Sequence, residues 1–149
     1  MGVFRNRDHG ATLVETALVL PILLLLTFGI WTTARAWNVH NVLDHAAREA
    51  ARIGATTGDA ARMQTVAQGE VQASSVLWTD VTPCIAVIDG PNTPRPGSIG
   101  TLPCVSPDPT SDDRVQVALS FNNYELDFLF FETTVNLQAK AIARLEPGV

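Results

Sequence analysis

From Ala11 to Trp31 the sequence lacks every ionisable side chain except one, Glu15. That scarcity excludes a water-exposed surface helix, whose outer face carries charge. At a rise of about 1.5 Å per residue the run is about 32 Å long, against a bilayer hydrocarbon core about 30 Å thick. It reads as a membrane helix, and a carboxylate inside such a helix costs free energy unless it faces a partner or reaches the interface. Basic residues are scarce too: the formal net charge is -5, and beyond residue 10 there are 8 basic against 14 acidic side chains. An acidic outer region argues against nucleic acid as a partner, because phosphate binding needs clustered Lys and Arg. No H-E-x-x-H, P-loop, G-x-S-x-G or G-x-G-x-x-G pattern is present, and nothing in the sequence places Ser, His and Asp together. The expectation is a protein that is not an enzyme and has no cofactor. There is no internal repeat, and 149 residues leave room for one modest domain beyond the membrane segment.

Cysteine is limited to Cys84 and Cys104, which bracket a stretch rich in Pro and Gly. Outside the cytoplasm the pair is expected to be a disulfide, contributing roughly 3 kcal/mol in the chain-entropy model; the alternative is two free buried thiols. Arg5, Arg7 and the free amine outweigh Asp8 in the N-terminal flank, so the positive-inside rule puts that flank in the cytoplasm. Arg35, Arg48 and Arg52 on the far side make the bias mild.

Beyond Trp31 the helical pattern continues in an amphipathic register. Ala34, Val39, Val42, Leu43, Ala46, Ala50 and Ile53 recur at three and four, with Arg35, Asp44, Arg48, Glu49 and Arg52 mostly between them. No breaker follows before Gly54, so one helix of about 65 Å from about residue 11 to 54 is predicted. Pro21 removes the bond to the carbonyl of Ala17 and should loosen its membrane half. The small residues Ala46, Ala47, Ala50, Ala51 and Gly54 would permit close packing, on the sheet of the same chain in preference to a neighbour. His40, Asp44 and His45 do not converge on one metal, since the third lies about 100 degrees around the helix from the first pair; they read as solvated residues.

Asp59 is a plausible cap for a second helix folding back on the first, with Met63, Val66, Ala67 and Val71 on its apolar stripe and an end near Leu77. From Val81 the pattern turns to strand: Ile85 to Ile88, then Val115, Val117, Leu119 and Phe121, and last Val135, Leu137, Ala139, Ala141 and Ala143. About three strands in a small antiparallel sheet are expected. Asp89 to Asp113, with prolines at 91, 94, 96, 103, 107 and 109, is expected to be a long surface excursion pinned by the cysteines. Tyr124 to Phe131 is ambiguous: its apolar residues either bury against the helix or face a partner. The fold class is therefore α+β. It comprises a leader (1–10), a membrane helix (11–31) and an outer region (32–149) holding the helical stalk, the second helix and the sheet.

That order of parts resembles the type IV pilin-like architecture. Gly10-Ala11 followed by Val14-Glu15, then Ala17-Leu18-Val19-Leu20-Pro21 with its leucine run, then Ala46 to Arg52, resembles the TadE-like family of the tight-adherence (Flp) pilus system. The end of the last strand, Ala141 to Glu146, is similar to the end of that domain. The resemblance implies a pseudopilin of the bacterial cytoplasmic membrane, single-pass, with the C-terminal domain outside. It implies processing by a prepilin peptidase after Gly10, which makes Ala11 the new N-terminus and Glu15 the fifth mature residue. The implied role of Glu15 is to pair with the N-terminal amine of a neighbouring subunit and set axial register. Implied partners are the peptidase, other pilins or pseudopilins, the inner-membrane assembly platform and lipid. Thr16 stands where Phe often follows the glutamate, and His9 where a fixed positive charge is common. Two alternatives start from the same residues. A signal peptide with Leu18 to Ile30 as its apolar region and Ala34-Arg35-Ala36 as its cleavage site would release a secreted binding module starting at Trp37. An uncut chain would be a single-pass anchor.

Overall fold

The computed structural model describes residues 8–90, 93–105, 112–128 and 130–146. Arg5, Arg7, Pro91, Pro107 and Pro109, all invoked above, and Leu129 of the Tyr124 to Phe131 stretch lie outside the described residues. The first helix, α1, runs from Asp8 to Thr57 without interruption, passing through Pro21. It ends where Gly58 adopts a φ of 62°, a left-handed conformation that a Cβ would strain, while the Gly58 N–H closes onto the Gly54 carbonyl at 2.8 Å. Helix α2 (Ala60–Gln72) follows at once, capped by the Asp59 side chain, which accepts from the Ala61 N–H at 2.9 Å. It is shorter than expected. Its C-terminal N–H groups turn back at Ala73 and Ser74, and Val76 is buried from the turn that follows.

Among the described residues four strands form one antiparallel sheet: β1 (Val81–Asp89), β2 (Thr93–Pro94), β3 (Arg114–Asp127) and β4 (Glu132–Arg144), in spatial order β2-β1-β3-β4. The fourth strand beyond the expected three is the short β2, paired to the end of β1 through Ile88 and Asp89. Val81, Ile85 and Val87 of β1, Val115, Val117 and Leu119 of β3, and Ala139 of β4 turn inward. They meet Val39, Leu43, Ala46, Ala47, Ala50 and Ala51 of α1, and Met63, Ala67 and Val71 of α2. The alanines let the sheet and α2 approach the α1 backbone. The same logic governs Gly54, where an added Cβ would run into the Met63 thioether and come within 3.1 Å of Val115 Cγ1.

The excursion after β1 is not simply a surface loop. Residues on the outer face of the sheet, Ala86, Ile88 and Ala118, are covered by Leu102, Cys104 and Val105, forming a second small core. Cys84 and Cys104 are joined in a disulfide with their Cα atoms 5.4 Å apart. The Val105 N–H donates to Oε1 of the buried Gln116 at 3.4 Å, and Ile99 and Ile85 exchange backbone hydrogen bonds. Burial on both faces explains why Ile85 to Ile88 reads as a continuous apolar run instead of an alternation.

A bulge interrupts the β3–β4 ladder between Phe121 and Tyr124, where β3 carries one more residue than its partner. Asn123 takes a φ of 57° there, and its N–H donates to Oδ1 of Asn136 at 2.9 Å. The bulge switches the inward set from odd to even numbers, so that Phe121 and Tyr124 both face α1, their rings edge-on at 5.3 Å. The expected strand from Val115 to Phe121 therefore continues to Asp127.

Candidate functional site

Helix α1 has two chemically distinct halves. From Thr12 to Trp31 every described side chain is exposed or nearly so, and the apolar ones include Leu18, Ile22, Leu23, Leu26 and Ile30. From Thr32 onward one face is buried against the rest of the chain. The exposed half is long and apolar enough to cross a membrane, consistent with a single-pass membrane protein. Its hydroxyls are satisfied internally: Thr16 Oγ1 donates to the Thr12 carbonyl at 2.8 Å, and Thr27 Oγ1 to that of Leu23 at 2.7 Å. Such bonds let threonines sit in an apolar medium without unpaired donors.

Glu15 lies in this half and is exposed, and among the described residues none forms an ion pair with it. Gly10 and Ala11 fall in the opening turn of the same helix. Ala11 and Glu15 are thus one helical turn apart, about 6 Å along the axis. If the chain began at Ala11, Glu15 would sit near the positive end of the helix dipole, where a carboxylate is favoured. Helical periodicity puts Ala11 and Glu15 on one face, with Gly10 one residue before Ala11, while Cys84 and Cys104 belong to the sheet.

At the boundary between the halves, Thr32 is only 8% exposed. Its Oγ1 lies 2.9 Å from two carbonyl oxygens, that of Phe28 one turn earlier and that of Asp127 at the end of β3. Arg35, Asp80, Glu125 and Asp127 line an open groove of about 660 Å³ beside this contact. Further along the helix, Asp44 pairs with Arg48 at 2.8 Å and His45 Nδ1 lies 3.5 Å from Glu70, all on the solvated side. His40 instead packs edge-on against Trp37, ring centres 6.3 Å apart. None of these contacts gathers His40, Asp44 and His45 about one point.

An exposed apolar half-helix with a single carboxylate, continued by an alanine-rich half buried in its own domain, is the pattern that the family comparison resolves. Residues 10–52 match the family model of TadE-like protein. The TadE-like segment begins at Gly10, includes the whole apolar half with Glu15, and ends at Arg52 within the buried half. The α2 helix and the sheet lie beyond it. No curated protein and no solved structure gives a match to the chain.

Proposed function

We propose that this protein is a minor pilin-like subunit, a pseudopilin, for assembling or anchoring a tight-adherence (Flp) pilus or a related secretion apparatus. It is held in the bacterial cytoplasmic membrane with its N-terminus in the cytoplasm and matured by a prepilin peptidase after Gly10. The observation that carries this reading is the coincidence, within the TadE-like segment, of an exposed membrane-length helix and Glu15 as its sole ionisable group. An unpaired charge held in lipid costs several kcal/mol, and a neighbouring subunit's Ala11 amine would offset that cost and fix axial register. Other pilins or pseudopilins and the inner-membrane assembly platform are then its partners. The acidic outer domain, joined to the span by continuous helix, projects away from the cytoplasm.

Release of a secreted module after Ala36 fits the structure less well. Ala36 is 9% exposed within α1, and such a cut would remove Thr32 together with its contact to Asp127. The mass of the mature protein tests the proposal. A chain starting at Ala11 is expected; one starting at Trp37 would mean a secreted module, and one starting at Met1 an unprocessed anchor, and either would refute peptidase maturation.

A further inference from the structure

The β3–β4 hairpin runs back along α1 towards the membrane half. At one end of the domain the Glu146 N–H donates to the Ala55 carbonyl at 2.9 Å; at the other, Asp127 contacts Thr32. The turn that follows Asp127 therefore lies at or beyond the level of Thr32, beside the last turns of the apolar run. This turn carries Phe128, Phe130 and Phe131. Phe130 is 74% and Phe131 58% exposed, close to the 66% of Trp31 on the adjacent helix. The Phe128 and Phe131 rings stack with centres 4.6 Å apart, and the Phe128 N–H donates to the Phe131 carbonyl at 2.9 Å, so the turn satisfies part of its own backbone. Asp127 and Glu132 flank it and mark where water must begin.

Exposed phenylalanines on a loop tip are costly in water and favourable at a bilayer interface, where aromatic rings collect. We propose that Phe128, Phe130 and Phe131 form a second membrane contact, inserted into the headgroup–acyl boundary of the outer leaflet beside Trp31. The occupant of this surface is phospholipid, because the tip is continuous with the exposed apolar surface of α1 and level with its end. The inference rests on α1 spanning the membrane. A single helix leaves the domain free to tilt; a second contact at the hairpin tip fixes which side of α1 faces down.

The test uses the full chain reconstituted in phosphatidylcholine vesicles, with the photocrosslinker p-benzoylphenylalanine replacing Phe130, Leu24 or Ile142 in separate variants. Ile142 is also exposed but lies beside Arg52, about 30 Å further along α1. Mass spectrometry after illumination should find lipid adducts at Leu24 and Phe130 in comparable yield, several-fold above Ile142. Adducts at Leu24 without Phe130 would overturn the proposal and leave the span intact. Adducts at neither would overturn both, and adducts at Phe130 without Leu24 would overturn the span and with it the tip contact as a second anchor beside Trp31. Protein dimers at Phe130 would assign the tip to a second copy, and equal yields at Phe130 and Ile142 would remove its positional meaning; either result refutes the proposal.

Discussion

Glu15 and Gly54 are both short of alternatives, for opposite reasons. Glu15 is exposed on an apolar helix, and in the proposed reading its partner is a neighbouring subunit's amine. Replacing it with Gln removes the charge and keeps the shape, so membrane insertion should survive while incorporation into the pilus is lost. Fractionation and copurification with the assembled pilus measure the two separately, and normal incorporation would refute the pairing. Gly54 is confined from within by Met63 and Val115. Gly54→Ala should destabilise the fold by about 1–3 kcal/mol through overpacking, seen as a lower unfolding midpoint of the full chain in detergent. Glu49 differs from both. The Arg52 guanidinium donates to its carboxylate at 2.7 and 3.0 Å and holds its pKa below the usual carboxylate value, chiefly through those hydrogen bonds. A carboxyl depressed on folding stabilises the fold above its unfolded pKa and loses that contribution as pH falls through the folded one. The Arg52 side chain is 72% exposed and that of Glu49 30%, so solvent screens the pair. Arg52→Ala should therefore leave the neutral-pH midpoint nearly unchanged and slightly flatten its acid dependence, measured by melts across the acidic range.

Among the elements, legibility in the sequence followed periodicity. Helix α1 was readable because its two registers, all-apolar and then three-and-four, are both helical, and the buried Leu43, Ala46 and Ala50 fall on the expected stripe. Strand β4 was readable from strict alternation, with Ala139 buried between exposed Gln138 and Lys140. Tyr124 to Asp127 was not, since one extra residue at the bulge reverses the parity that a strand is recognised by. The covering of the outer sheet face was also missed: Gln116 and Ala118 look like solvent-facing positions until Leu102, Cys104 and Val105 fold over them. Within the candidate site, Glu15 was legible as a charge in an apolar run, but the docking of Asp127 on Thr32 joins residues 95 apart, which no local pattern encodes. The disulfide holds the covering loop in place. Cys84→Ser with Cys104→Ser should cost about 2–5 kcal/mol, measured by chemical unfolding. Hydrogen exchange should quicken in residues 99–105 and remain slow at Leu43 to Ala51.

At the scale of the molecule, the packed core and the apolar surface do not overlap. Among the described residues the main core is drawn from Val39 to Leu145, while the exposed apolar run of α1 ends at Trp31. A chain beginning at Thr32 should consequently remain folded and dissolve without detergent. Circular dichroism should show a cooperative melt with its α/β signature intact, and a molten or aggregated product would refute the separation. What the separation does not provide is a joint. From Ile22 to Thr57 α1 contains neither proline nor chain break, and its later half is the central packing element of the domain. Force applied to the membrane end is thus delivered along a rod into the middle of the fold, with no swivel to absorb it. If the chain works as the proposed subunit and is lifted from the bilayer or pressed into it, the outer domain must translate and turn with its anchor, as a key turns with its shaft.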